Sequence, residues 1–313
     1  MLSGVLFALA AGLMWGLVFV GPLLLPDYPA ALQTFGRYLA FGLIALPLAF
    51  IDRQEIRRLT RADWLTALRL AAIGNVLYYL FLSSAILRAG GALPTMIIGT
   101  LPVVIAIAAN LLSHQRDGHF PWRQLAVPLA LILLGIACVH HVEWSNLQQD
   151  PAADAARYLG GAALAVCAVA CWTWYPLQNA NWLRGHPDRL PRVWATAQGL
   201  ATLPLALLGY VTFWLWTWAT DQPLPMPLGP RPLEFLGLML AIAVFASWLG
   251  TLCWNAASQR LPTALAGQLI VFETLAALAY AFVLRGQWPE SLTLAGIALL
   301  VIGVIGGLRV KAV

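Results

Sequence analysis

The sequence predicts an all-α integral membrane protein: ten transmembrane helices in two inverted five-helix repeats, with both termini in the cytoplasm. Three observations carry that prediction. The chain is too apolar to face water, its apolar runs number ten at membrane-crossing length, and a 32-residue stretch occurs in it twice.

Of 313 residues, 61% are hydrophobic and only 10% are charged. A soluble domain carries roughly 25% charged residues, so this chain cannot cover a water-facing surface and belongs in lipid. The opening MLSGVLFALAAGLMWGLVFVG has no basic n-region and no A-x-A cleavage site, and reads as a retained first span rather than a signal peptide.

A crossing takes about 20 apolar residues. Ten runs meet that length, at 2–21, 31–51, 64–87, 92–113, 123–142, 159–183, 191–216, 233–258, 263–284 and 291–308. The links are short and polar or rich in Pro and Gly, as in LLLPDYPAA and TDQPLPMPLGPRP. Hydrocarbon offers the backbone no hydrogen-bond partners, so each span is a helix. With the N-terminus in the cytoplasm, the inner links hold Arg53, Arg57, Arg58, Arg61, Arg116, Arg123, Arg184, Arg189, Arg192, Arg260, Arg309 and Lys311. The outer links hold Arg88, Arg157, Arg231 and Arg285. That imbalance obeys the positive-inside rule and fixes the orientation. It also accounts for the net charge of +5 without a nucleic-acid partner.

The duplicated stretch is Ser84 to Gln115, SAILRAGGALPTMIIGTLPVVIAIAANLLSHQ, which a shift of 172 residues lays on Ala256 to Gln287, AASQRLPTALAGQLIVFETLAALAYAFVLRGQ. Ala85 meets Ala257, Arg88 meets Arg260, Ala92 meets Ala264 and Gln115 meets Gln287. Five spans per copy is an odd number, so the second copy enters the membrane in the opposite sense. The expected division is a first repeat at 1–143, a periplasmic link at 144–158 and a second repeat at 159–313. A substrate site then belongs near the bilayer midplane, between the halves.

The same stretches resemble the drug/metabolite transporter superfamily, in its EamA-type ten-helix members. The family's pattern A-L-(R/K)-x-x-x-A, ending in Pro, is met by Ala85, Arg88, Ala92 and Pro102, and again by Ala257, Arg260, Ala264 and Glu273-Thr274. Thr274 departs from the Glu-Pro frequent there. Trp15-Gly16 and Phe35-Gly36-Arg37 also resemble family positions, and CWTWYP (Cys171 to Pro176) is similar to the family's aromatic amino acid exporters. The resemblance spans nearly the whole chain. It implies export of amino acids or other metabolites by alternating access, from a multi-pass protein of the bacterial inner membrane. Small-molecule substrate and lipid are then the partners, with no cofactor, in a monomer or weak homodimer.

Candidate substrate-binding residues come first from the third span, where Asn75, Tyr78, Tyr79 and Leu82 follow i, i+3, i+4, i+7 spacing and share one helix face. The repeat shift places Ser247, Gly250, Thr251 and Trp254 at the same positions in the eighth span. Two such faces make either an apolar cavity with a few polar handles or a helix-packing seam. Trp15, Trp172, Trp174, Tyr175 and Trp248 lie deep enough to stack on an aromatic substrate, or else to fill the core or face lipid. Trp172 and Trp174 are two residues apart and cannot share a face, and Trp172 with Tyr175 is the favoured pair. Trp64, Trp122, Trp144, Trp182, Trp194, Trp214, Trp216, Trp218 and Trp288 fall near span ends and read as an interfacial belt.

Glu273 is the carboxylate placed deep within a span. A charge there costs at least about 2.5–3.5 kcal/mol by insertion scales, so it is paired, hydrated or protonated. It could carry a coupling proton, bind a substrate amino group, or hold a broken helix together, as the family pattern implies. Arg37 in the second span is its candidate partner, while Arg69 can snorkel to the interface. Pro102 and Pro176 are candidate hinges or static kinks. Gly12-x-x-x-Gly16 permits close helix contact. The cysteines (Cys138, Cys167, Cys171, Cys253) lie in apolar runs, and His114, His119, His140, His141 and His186 fall in links or at span ends, so no metal site is expected.

A secondary transporter of aromatic or other apolar amino acids is the leading expectation, since no G-x-x-x-x-G-K-[ST] loop supplies ATP. A multidrug or other metabolite carrier of the same fold is the alternative, and a non-transporting scaffold or receptor is the alternative of a different class. An intramembrane enzyme lacks its H-E-x-x-H, G-x-S-x-G or paired aspartates.

Overall fold

The computed structural model describes residues 2–112, 121–149, 154–286 and 288–310. His114, Gln115, Arg116, His119, Gln287 and Lys311 lie outside the described residues. All regular structure among the described residues is helical.

The helices are α1 (Leu2–Leu24), α2 (Ala30–Ile51), α3 (Arg61–Ala89), α4 (Ala92–Ile98), α5 (Leu101–Leu112) and α6 (Trp122–Gln149) in the first part of the chain. The second part has α7 (Ala155–Gly185), α8 (Pro191–Ala219), α9 (Pro232–Ser258), α10 (Thr263–Leu269), α11 (Val271–Arg285) and α12 (Ser291–Leu308). Local chemistry sets several starts. At α3, the Thr60 hydroxyl accepts from the Asp63 amide at 3.2 Å while Asp63 accepts from the Thr60 amide at 2.8 Å, a reciprocal cap that satisfies two otherwise orphaned donors. Asp154 caps α7 through the Arg157 amide at 3.0 Å. Pro191 and Pro232 open α8 and α9 where a missing N–H does no harm.

Eight stretches are long and apolar enough to cross a membrane, one of them running through α10 and α11. The chain is a multi-pass membrane protein. Two further apolar stretches, Leu93–Ile105 and Ser291–Gly307, are shorter. The segment expected at 92–113 is broken at Gly99–Thr100, and the one at 263–284 is broken at Ile270. The stretch expected as a link at 144–158 is helical up to Gln149 and again from Ala155.

Long helices here are not uniformly α. Ala71–Leu77 within α3 and Ala243–Leu249 within α9 are π-helical, and the two lie 172 residues apart. Helix α1 passes through a 3₁₀ turn at Leu17–Phe19. Helix α7 runs unbroken through Pro176, so the expected hinge there is not a break, whereas Pro102 does follow one, opening α5 next to Gly99–Thr100.

Six packing pairs that join the two parts of the chain are α2 on α8, α6 on α12, α3 on α7, α1 on α9, α5 on α10 and α4 on α11, with α1 also packed on α11 and α4 on α7. Exchanging the two parts maps the six onto themselves. Helix α1 approaches α11 closely through glycine. A Cβ on Gly12 would stand 3.0 Å from the Glu273 amide nitrogen, and one on Gly16 would stand 2.7 Å from the Ala276 Cβ. Gly12→Leu is therefore expected to destabilise by about 1–3 kcal/mol, the usual cost of overpacking. Gly237→Leu, where nothing lies within 4 Å, serves as the control. Thermal melts in detergent read the difference, and equal melting of the two variants would contradict this packing.

Links assigned to one side by their cations meet at one end of the bundle. There Arg192 pairs with Asp52 at 2.7 Å, Arg189 approaches Glu55 at 3.6 Å and Gln259 donates to the Arg189 carbonyl at 2.9 Å. At the other end Arg231 pairs with Asp27, its amide donates to the Tyr28 hydroxyl at 2.7 Å, and that hydroxyl donates to the Leu228 carbonyl at 3.0 Å. The Arg231 guanidinium holds the Asp27 carboxyl below the usual carboxylate range, so this contact is charged at neutral pH.

Two residues expected in the interfacial belt are instead core. Trp182 and Trp194 are buried and stacked; Trp182 donates to Asp63 at 2.8 Å and Trp194 to Asn179 at 2.8 Å. A buried partner for each indole N–H removes the reason to sit at the water interface. His186, expected to be solvated, stacks on Trp182 with 4.5 Å between ring centres and lies 3.7 Å from Asp63.

Candidate functional site

Around the middle of the bundle, α1, α2, α3, α7, α9 and α11 enclose a small cavity. Its walls carry Trp15 and Val18 from α1, Arg37 and Tyr38 from α2, and Gly74, Asn75 and Tyr78 from α3. The other part of the chain contributes Trp172 from α7, Ala246, Ser247 and Thr251 from α9, and Glu273 from α11. The room for the centre of a water molecule is about 10 Å³, enough for about one water. The conformation is closed on its centre.

Four aromatic residues, Trp15, Tyr38, Tyr78 and Trp172, stand on the wall. Tyr78 stacks on Trp172 at 4.5 Å between ring centres, and Trp172 stacks on Tyr175 at 4.8 Å. Trp15 meets the Trp172 edge at 5.0 Å, with Trp254 behind it at 5.2 Å. A Cβ at position 250 would come within 2.7 Å of the Trp15 indole nitrogen, so glycine there gives that ring its place.

One basic and one acidic side chain sit among these rings. Arg37 donates through Nε to the Ser247 hydroxyl at 3.0 Å, and its guanidinium lies over the Tyr79 and Tyr38 rings at 4.4 and 4.8 Å, a cation–π arrangement that offsets part of the loss of water. Glu273 accepts from the Tyr78 hydroxyl at 3.3 Å on Oε1. No ion pair joins Arg37 to Glu273. Asn75 donates to Thr202 at 3.0 Å.

Residues 2–140 match the EamA-like transporter family. An inner membrane protein of Escherichia coli (strain K12), YtfF, is 57% identical over 311 residues, which covers 99% of this chain and 96% of that one. The chain belongs to the EamA-like transporter family. That family is part of the drug/metabolite transporter superfamily. A protein of known crystal structure superposes with a TM-score of 0.67 at 18% identity, over 97% of this chain and 96% of its own, and shares the fold.

Within this EamA-family fold, eight residues singled out in sequence come together on the cavity wall: Trp15, Arg37, Asn75, Tyr78, Trp172, Ser247, Thr251 and Glu273. The other candidates do not reach it, Gly250 and Trp174 among them. Tyr79 sits one layer back under Arg37, and Leu82 is core. Tyr175 lies behind Trp172 and donates to Gln198 at 2.8 Å, Trp254 lies behind Trp15, and Trp248 donates to Thr196 at 3.1 Å. Tyr78, Tyr79 and Leu82 all lie on the regular α-helical stretch Tyr78–Ala89, and the cavity takes only Tyr78 of them, Tyr79 and Leu82 being turned into the core. Tyr38, Val18, Gly74 and Ala246 line the wall without having been singled out. Sequence reasoning also missed the buried amide cluster below it, where Asn179 donates to Asn255 at 2.9 Å and accepts from Gln198 at 3.2 Å. Its members are polar residues scattered through apolar runs, and nothing in their spacing announces a cluster. Among the described residues no group of three or more His, Cys, Asp or Glu could hold a metal ion.

Proposed function

We propose that the protein is a secondary transporter of the bacterial inner membrane that exports small metabolites, namely aromatic or other apolar amino acids, by alternating access between two inverted repeats. The observation that carries this reading is the central cavity. Both parts of the chain supply its walls, four aromatic residues stand on them, and one buried basic and one buried acidic side chain line it. Apolar walls with a few fixed polar groups are the usual make-up of a small-molecule site. Family membership and the inner-membrane relative support transport. The self-mapping helix pairs and the matched π stretches support the repeat, and the arginine pattern supports cytoplasmic termini. Ion-paired links at both ends suit a closed intermediate between two open states.

The deciding experiment is uptake of labelled phenylalanine, tryptophan and threonine into liposomes holding the purified protein. Saturable uptake is expected, and Trp172→Ala or Tyr78→Ala is expected to lower it about tenfold, since each removes a ring from the three-ring stack. Folded protein that moves none of the three would turn the reading to another metabolite or a drug-like solute. Thiol labelling of single cysteines in the Arg53–Arg61 link is expected only from the cytoplasmic side, and labelling from outside would reverse the orientation.

A further inference from the structure

Around the cavity, two ionisable side chains each have one polar atom without a hydrogen-bond partner, Arg37 Nη1 and Glu273 Oε2, as does the Trp172 indole nitrogen on the same wall. They are 4% and 1% exposed, and both line the same enclosed space. Their remaining contacts hold them in place, Arg37 through Ser247 and two tyrosine rings, Glu273 through Tyr78. A buried charge left short of partners is strongly unfavourable unless something completes it. Here the cation comes from α2 and the carboxylate from α11, and neither completes the other.

We propose that Arg37 and Glu273 form a two-point seat for one zwitterionic α-amino acid, the guanidinium taking its carboxylate and the Glu273 carboxylate taking its ammonium. This rests on the reading that the cavity is the substrate site, and deepens it. The charge count favours such a ligand: a zwitterion adds no net charge to a neutral pair in a water-poor space, whereas a lone amine or a lone acid leaves one seat group unmatched. Bidentate capacity makes arginine the suited carboxylate partner. The rings of Trp15, Tyr78 and Trp172 would then meet the side chain. Because the space is closed to about one water, the seat receives its ligand only after one end opens.

The test uses the purified full chain in detergent and its thermal stabilisation by graded concentrations of phenylalanine, tryptophan, leucine and threonine. Phenylalanine methyl ester, N-acetylphenylalanine, phenethylamine and 3-phenylpropionate are run beside them. At least one free amino acid is expected to stabilise, and capping or removing either charged end is expected to weaken binding at least tenfold. Arg37→Gln is expected to weaken the free amino acid about tenfold while leaving the methyl ester, which has no carboxylate, unchanged. If that variant does not fold, the wild-type panel decides alone. Capped analogues binding within threefold of the free amino acid, or no amino acid binding at all, would overturn the seat. Flux of the same compounds separates the two claims. Flux indifferent to the charged ends overturns the seat and leaves a transporter, and amino acid binding without flux keeps the seat and overturns the transporter.

Discussion

Bridging positions 52 and 192 with a short, reducible bifunctional thiol reagent is expected to cut flux to below a tenth, and reductant is expected to restore it. The experiment needs Asp52→Cys and Arg192→Cys in a chain whose Cys138, Cys167, Cys171 and Cys253, all free thiols, are replaced by alanine. The Asp52–Arg192 pair spans the two parts of the chain at 2.7 Å, with the arginine side chain half exposed. An exposed ion pair contributes only about 0–1 kcal/mol, so the natural contact is a latch that thermal motion opens. Asp52→Asn alone is accordingly expected to change flux less than twofold. A covalent bridge cannot open, and a carrier that works by parting one end at a time stalls when either end is tied. Tying positions 27 and 231 at the opposite end is expected to do the same. Undiminished flux from protein shown by mass spectrometry to be fully bridged at position 52 would mean that this end never parts, and alternating access along this route would fail.

Glu273→Gln is expected to fold and to reduce amino acid flux by about 10- to 100-fold. The amide keeps the shape of the side chain and an oxygen for the Tyr78 hydroxyl, which now bonds Oε1 at 3.3 Å, so packing is preserved. Lost is the charge that answers a substrate ammonium. Hydrogen bonds to charged groups contribute about 1.5–3 kcal/mol, and each 1.4 kcal/mol is a factor of about ten. Flux within twofold of wild type together with a lower melting temperature would assign Glu273 a purely structural task at the break beside Ile270. The pH profile adds a further reading. A dependence present in wild type and flattened in the variant assigns the carboxylate a coupling proton, and an unchanged dependence confines it to binding.

Hydropathy made most of the architecture legible, because hydrocarbon thickness dictates the length of every run and water rejects all of them. The two anomalous charges were legible for the same reason: Arg37 and Glu273 stand out against an apolar background. Local sequence could not show where the helices depart from ideality. The breaks at Gly99–Thr100 and Ile270 and the two π stretches have no counterpart in hydropathy, while Pro176, a strong local signal, sits inside an unbroken helix. Tyr79 and Leu82 share the helix of Tyr78 but face core rather than cavity, and spacing along one helix does not say where a cavity ends. Trp182 and Trp194 were misplaced for another reason. Trp182 finds its buried partner at Asp63, 119 positions away along the chain, a relationship no spacing rule contains.

The paired π stretches also record something about history. A π stretch is a single-residue defect in helical bookkeeping: deleting one residue from it restores α geometry and rotates everything that follows by about 100°. Ala71–Leu77 and Ala243–Leu249 occupy equivalent places 172 residues apart, although few of their residues match. Two separate insertions arriving at one equivalent spot is the less economical account. Two parts descended from one copy would carry the defect at the same place in each, and that is where these two stretches stand.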